Sequence, residues 1–388
     1  MQKSADKKEL VLVKPFMPPV ADLIPFFERI WESRQLTNSG PVHAEFEQAL
    51  CRYLGVSHIS LIANGTLALM IALKTLRLRG EVITTPFTSP ATLQAICWNN
   101  LKPVFADIHE SDLNMDPSAI EAAITGETCA ILPVHIFGRP CDIEGIRQIA
   151  HKHNLKVIYD AAHCFGVEKN GDSICNYGDL STLSFHATKV FNTLEGGAII
   201  CHDEATKKMI DTLTNIGHDA DPPHPGYGLN AKMNEIQSAV GICGLNYAET
   251  IIAGRKAATL LYRGLLKDLH GIKMMDDLEG VRHNYSYFPI IIDSGEFGAG
   301  RDELYDHLKS NKIISRKYFY PLASDYPAFE RYKTHNLPVA ENIAENILCI
   351  PLFHDITTNQ IETVVYTIKE LYHPHRIKTY HENFAVVP

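Results

Sequence analysis

From His58 to Asp160 the chain alternates short apolar runs with helix-length segments, and this alternation restricts the fold more than any other feature. The runs fall at 58–62, 81–85, 102–107, 130–134 and 156–159. Between them, helical spacing predicts helices over 67–76, 91–99, from Asp116-Pro117 onward, and over 143–154. Strands joined by helices pair in parallel, and a parallel sheet is covered on both faces. The expectation is an α/β fold: a large domain with a mostly parallel sheet between helices, plus a smaller C-terminal α/β domain. The division is expected at 1–250 and 251–388. In open sheets of this kind ligands lie beyond the carboxyl ends of the strands. Asn64-Gly-Thr66, Asp160 and the residues after Phe185 all fall on that rim.

The stretch 181–201 contains the most reactive candidate. Its first part alternates like a pleated ribbon and is expected to run to Lys189; Glu195-Gly-Gly197 then turns into a second apolar strand, 198–201. A lone lysine in such a loop is ordinarily a solvated one. Between two buried strands, however, its ammonium is desolvated and its amine more easily freed, as nucleophilic attack on an aldehyde requires. Asn64-Gly-Thr66 joins a strand to a helix start, where free amides and the positive end of the helix dipole attract an anion. Asp160 ends a strand; position alone fits an N-cap for a following helix equally well.

The remaining chain is less constrained. An irregular lead-in precedes an amphipathic helix over 22–33, a polar loop over 36–41, and a helix with Val42, Phe46, Leu50 and Leu54 on one stripe, closed by Gly55. A Pro/Gly-rich loop spans 217–228, and a helix runs from Glu235 to about 247. A long helix from Ile251 leads into C-terminal strands near 287–292 and 313–320, with helices from Arg301, Ala340 and Thr358 and a polar tail after Tyr372.

With 36 basic and 45 acidic residues the net charge is −9, which argues against nucleic acid and anionic membranes as partners. No window is apolar enough to span a bilayer, and the polar N-terminus lacks a signal-peptide core. The nine cysteines form no C-x-x-C pair, so reduced thiols in a cytoplasmic protein are expected. No metal site is expected: the pairs His151/His153 and His373/His375 do not make a metal face.

A lysine amine, a carboxylate on a strand end, the Ser184 hydroxyl and a helix N-terminus are the parts that hold pyridoxal 5′-phosphate. The motifs carry this further. Thr37-Asn38, Gly40-Pro41, Asn64-Gly-Thr66, Pro103-Val-Phe-Ala-Asp107, Pro133-Val-His135, Asp160-Ala-Ala-His163, Ser184-Phe-His-Ala-Thr-Lys189, Glu195-Gly-Gly197 and Asn230-Ala-Lys-Met-Asn-Glu235 occur in one order over roughly 13–371. In this the chain resembles the DegT/DnrJ/EryC1/StrS family of nucleotide-sugar aminotransferases, fold-type I pyridoxal-phosphate enzymes.

The resemblance implies that Lys189 attaches the cofactor and carries the proton. It further implies that Asp160 partners the ring nitrogen, His163 lies near the phenolic oxygen, and Gly65, Thr66 and Ser184 contact the phosphate. Asn230 matches a residue that reaches the other subunit's phosphate, so a homodimer with shared sites is implied. Thr37, Asn38, Phe87, His186, Arg316, Lys317 and Tyr318 are expected near substrate, although the last three also fit a solvated strand end. Many relatives place an aromatic ring over the cofactor where this chain has Ser89, and Phe87 or a neighbour is expected to replace it. Within the family the chain is most similar to members that aminate C4 of dTDP-4-keto-6-deoxyglucose, with L-glutamate as donor. Amination at C3, a UDP- or GDP-linked sugar, and a non-catalytic cofactor-binding sensor are the alternatives. A 3-dehydratase is disfavoured because such members carry histidine in place of the lysine.

Overall fold

The computed structural model describes residues 9–218, 227–333 and 336–373. Most of the predicted 217–228 loop and the tail beyond His373 lie outside them. Helix α1 (Val20–Ser33) buries Leu23 and Ile30. Helix α2 (Pro41–Leu54) opens on its proline and stops at Gly55, whose φ of 62° suits a residue without Cβ. Strand β1 (His58–Ile62) runs into α3 (Gly65–Thr75), capped by the Asn64 side chain, which accepts from the Leu67 amide at 2.9 Å. The alternation continues through β2 (Glu81–Thr84), α4 (Pro90–Trp98), β3 (Lys102–Phe105), α5 (Pro117–Ala122), β4 (Thr128–Leu132), α6 (Ile143–His153) and β5 (Lys156–Asp160). A small hairpin follows, β6 (Glu168–Lys169) and β7 (Asp172–Ser173), then β8 (Leu180–Ser184), β9 (Gly197–Cys201) and α7 (Glu204–Thr214).

The seven strands of the main sheet stand in the order β1-β9-β8-β5-β4-β2-β3. From β3 to β8 every pairing is parallel; β9 lies antiparallel between β8 and β1. Because β1 is antiparallel to β9, it points the same way as β8 and β5, and their carboxyl ends share one edge. Neighbouring residues on each strand face opposite layers. Val82, Ala130, Ile158 and Ile199 pack with apolar residues of α3, α4 and α7, whereas Ile83, Ile131, Tyr159 and Ile200 pack with those of α2 and α6.

Helix α8 (Glu235–Leu245) packs on α1 and α2, and α9 (Ala248–Leu266) leads into the C-terminal half. It continues through β10 (Ile272–Met274), β11 (Val281–Arg282), β12 (Phe288–Ile292), α10 (Ser294–Phe297), α11 (Arg301–Ser310), α12 (Pro338–Asn346), β13 (Ile347–Ile350) and α13 (Thr358–Glu370). Strands β10, β12 and β13 form an antiparallel sheet that shares one apolar cluster with α9, α11 and α13. The lead-in joins this half: the Leu10 amide donates to Lys312 O at 2.9 Å, and the Leu352 amide to Leu12 O at 2.9 Å. The two halves also meet at Asp107. Its carboxylate accepts from the Val339 and Ala340 amides, at 3.0 and 2.8 Å, on the first turn of α12. Among the described residues no helix is long and apolar enough to cross a membrane.

Three local expectations are corrected. The ribbon of β8 ends at Ser184, five residues before Lys189. No helix follows Asp160; residues 161–167 form turns, so Asp160 is not a helix N-cap. The segment 313–320 is not a strand. Arg316 exchanges both main-chain bonds with Cys349 (3.0 and 2.7 Å), after which the Tyr318 amide donates to Arg316 O and the Tyr320 amide to Lys317 O, turning the chain off the sheet edge.

Candidate active site

A cavity of about 1100 Å³ lies between the carboxyl edge of the main sheet and the segment 315–321. Lys189 enters it from the loop that joins β8 to β9. Both loop ends are tied: the Phe185 amide donates to Gly196 O at 2.8 Å, the Thr193 amide to Phe185 O at 2.9 Å, and Lys189's own amide to His186 O at 2.9 Å. Burial lowers the pKa of its ammonium, against the pull of Asp160 and Tyr318. A neutral amine is therefore easier to reach than on a solvated lysine.

Asp160 ends β5 and is 5% exposed. Burial raises its pKa, and three groups oppose this: the Ala162 amide (3.1 Å to Oδ1), the Thr92 hydroxyl (2.9 Å to Oδ2) and the Lys189 charge. His163, three residues on, accepts at Nδ1 from the Phe137 amide at 3.2 Å, which leaves its hydrogen on Nε2. Its ring lies within 7° of parallel to Phe137 and Phe319, and burial pushes its pKa well below the usual histidine range, so it is neutral. Asn284, fully buried, donates to the His163 and Phe165 carbonyls at 2.8 and 2.9 Å and so fixes this turn from the C-terminal half.

Gly65 and Thr66 open α3 beside Ser184. A Cβ at residue 65 would meet Ser184 Cβ at 2.8 Å, and one at Gly197 would meet the Asn64 carbonyl carbon at 2.8 Å. The two glycines let the helix start, the end of β8 and the start of β9 converge on one point. Free amides at 65 and 66, the Thr66 and Ser184 hydroxyls and the helix dipole make this corner an anion cradle. With Lys189 and Asp160 further along the same cavity, the donor set fits pyridoxal 5′-phosphate: cradle for phosphate, amine for aldehyde, carboxylate for ring nitrogen.

The facing wall carries Arg316, Lys317, Tyr318 and Phe319. Arg316 donates to the Tyr318 hydroxyl at 2.8 Å, and Lys317 pairs with Asp302 at 2.6 Å while lying 4.6 Å above the Tyr305 ring. At the mouth His186 bonds Thr188 at 2.8 Å and approaches Glu195 to 3.6 Å.

The cavity thus brings together Gly65, Thr66, Asp160, His163, Ser184, His186, Lys189, Arg316, Lys317 and Tyr318, and leaves out Thr37, Asn38, Phe87 and Asn230. Phe87 does not reach it; the ring is fully buried, edge-on to Phe137 and Phe319, so Phe319 forms the aromatic wall and Phe87 backs it. Thr37 and Asn38 sit exposed on a loop held by Glu235, whose amide donates to Leu36 O and whose carboxylate accepts from the Val42 and His43 amides, at 2.9 Å each. Asn230 is exposed and accepts from Lys232 at 2.8 Å. The reading from sequence missed Thr92, Asn284 and Tyr287, the last a cavity residue whose ring centroid lies 5.1 Å from that of His163. Each acts by a contact across the fold, and none stands in a local pattern that would single it out.

Comparison with known proteins agrees with this geometry. The DegT/DnrJ/EryC1/StrS aminotransferase family matches residues 21–369. The chain is 45% identical to dTDP-4-amino-4,6-dideoxy-D-glucose transaminase of Shigella dysenteriae, over 94% of this chain and 100% of that one. It is 44% identical to the Escherichia coli protein of the same name, over 94% and 98%. Among solved structures, DesI in the presence of its TDP-sugar product superposes with a TM-score of 0.92 at 32% identity, covering 98% of this chain and 97% of that one. The match spans the sheet, the cavity and the C-terminal half together: the chain belongs to the DegT/DnrJ/EryC1/StrS aminotransferase family and is an aminotransferase that works with pyridoxal 5′-phosphate.

Proposed function

We propose that the chain transfers an amino group from L-glutamate to C4 of dTDP-4-keto-6-deoxy-D-glucose, giving the 4-amino-4,6-dideoxy sugar nucleotide. The observation that carries this reading is the meeting of Lys189, Asp160, His163, Ser184 and the start of α3 around one cavity. The names of the relatives at 45% and 44% identity point to the sugar. At about 1100 Å³ the cavity is slightly larger than the ~300–1000 Å³ usual for small-molecule sites, which suits a cofactor together with a nucleotide-bearing substrate. A chain of net charge −9 nevertheless places Arg316 and Lys317 on the cavity wall, which suits a diphosphate.

When bound, the cofactor supplies an aldehyde that accepts the amino group and a ring that withdraws electrons. The chain's residues do the rest. Gly65, Thr66 and Ser184 hold the phosphate; Asp160 keeps a negative charge opposite the ring nitrogen; His163 offers Nε2–H as a donor. Lys189 Nζ, whose ammonium burial makes easier to deprotonate, would move a proton from the amino-bearing carbon of the donor to the cofactor's aldehyde carbon, and in the second half one from that carbon to C4 of the sugar. Arg316 and Tyr318 orient the nucleotide end.

The division into a cofactor-binding part (1–250) and a smaller C-terminal part (251–388), the homodimer and the cytoplasmic location belong to the same proposal. Val20, Ile24 and Trp31, 70%, 47% and 66% exposed, fall within 40° of one another around α1 at 100° per residue. They form an apolar face suited to a second copy. Asn230 and Asn38 lie outside their own cavity, where residues serving a neighbouring subunit belong.

The test is an amino-transfer assay with L-glutamate across dTDP-, UDP- and GDP-linked 4-keto-6-deoxyhexoses, with products resolved by NMR. A C4 amine on the dTDP sugar is expected. A C3 amine, or preference for another nucleotide, replaces the substrate assignment. No turnover combined with cofactor colour that persists in glutamate identifies a sensor.

A further inference from the structure

Thr92 stands on the first turn of α4, fully buried, with its hydroxyl 2.9 Å from Asp160 Oδ2 and 3.0 Å from the Thr88 hydroxyl. Thr88 is itself part of the cavity wall. The aspartate sets the direction of this row. An ionised carboxylate only accepts, so the Thr92 hydroxyl donates to it, and the Thr92 oxygen then accepts from Thr88. Thr88, its hydrogen committed, offers the cavity lone pairs alone. On the other side of the carboxylate, Oδ1 accepts from the Ala162 amide at 3.1 Å. One donor on each oxygen fixes the carboxylate plane, and with it the direction of the lone pairs left for a cavity ligand.

We propose that Thr92, backed by Thr88, is a positioning residue: its hydroxyl sets the orientation of Asp160 toward the cofactor's ring nitrogen. The proposal rests on the reading, given above, that Asp160 faces that nitrogen. Burial works against the charged form of Asp160, and a hydroxyl that donates to it offsets part of that cost. Serine and valine separate the two parts of the side chain. Valine keeps the shape and removes the donor; serine keeps the donor and removes a methyl.

The experiment uses the holoenzyme of Thr92→Val, Thr92→Ser, Thr88→Val and Asp160→Ala. Three quantities are measured: the dissociation constant for pyridoxal 5′-phosphate, the pH titration of the bound cofactor's absorption, and kcat against KM. Thr92→Val is expected to weaken cofactor binding about ten- to hundredfold, the usual worth of a hydrogen bond to a charged group, and to displace the absorption titration. Thr92→Ser stays within about twofold of the parent, and Thr88→Val shifts the titration in the same direction by less. A Thr92→Val protein with the parental titration overturns the proposal, as does a Thr92→Ser protein as impaired as Thr92→Val, which would make the methyl the important group. If Thr92→Val does not fold, Thr88→Val decides: an unmoved titration overturns the relay. Asp160→Ala separates the two levels. An unchanged titration there removes the facing of Asp160 to the ring nitrogen, whereas a changed one alongside a silent Thr92→Val removes only the role of Thr92.

Discussion

The edge bearing Asp160 and Ser184 and the segment bearing Arg316 and Tyr318 face each other across one cavity, yet they are held by different means. Asp160 and Ser184 end fully paired strands, and their positions follow from the register of β5, β8 and β9. Arg316 has a single bridge, to Cys349, and the rest of its segment is held by turn bonds and by rings packed on Tyr287 and Phe319. A paired strand end places an atom rigidly, which suits proton transfer and charge placement. An irregular segment varies without disturbing a sheet, which suits recognition. Chemistry is thus expected on the sheet side and selectivity on the other.

Four substitutions can break that division. Lys189→Ala carries the largest expected effect, a loss of kcat of about 10⁴-fold, the upper range for a lost general base, with the thermal midpoint unchanged. In the parent, activity falls on the acid side as Nζ is protonated; because burial lowers that pKa, the fall comes at lower pH than an ordinary lysine would give. Gly65→Ala comes next. Its Cβ would sit 2.8 Å from Ser184 Cβ, so the cradle must open, and cofactor affinity measured by absorbance should drop about tenfold or more. Arg316→Leu should raise KM for the nucleotide sugar about tenfold and leave kcat within about twofold, the loss of one exposed charge-assisted contact. A tenfold fall in kcat with KM intact would put chemistry on the irregular wall and refute the division. Phe87→Leu is the mildest, a loss of about 1–2 kcal/mol in denaturant unfolding from one trimmed ring and two edge-on pairs, with KM changed less than by Arg316→Leu.

How far each wall was legible in the sequence follows the same line. Strand β1, the stop of α2 at Gly55 and the proline start of α5 were readable because period and capping are local signals. The rim residues Asn64 to Thr66, Asp160 and Ser184 followed once the strands were known. The segment 313–320 misled because Ile313, Ile314, Tyr318, Phe319 and Tyr320 are residue types that favour strands, while the bonds that bend it are main-chain ones that no residue type announces. Strand β13, Ile347–Ile350, is a four-residue apolar run that periodicity cannot tell from the end of a helix. Thr92 was invisible because its partner is 68 residues away. Of Phe87 or a neighbour, expected near the cofactor, it is Phe319 that lines the cavity and Phe87 that stands behind it, since sequence does not say which of two rings is in front.

Asp107 leaves very little freedom to anything that would replace it. Oδ1 takes the amides of Ile108 and Ala340 and Oδ2 that of Val339, so every nearby hydrogen points inward at an acceptor. Asparagine, nearly the same size, would turn an NH₂ against one of those hydrogens, and glutamate would overshoot by a methylene. The joint between strand and distant helix is therefore specified by one functional group, and a chain that drifts at this position has to rebuild the seam.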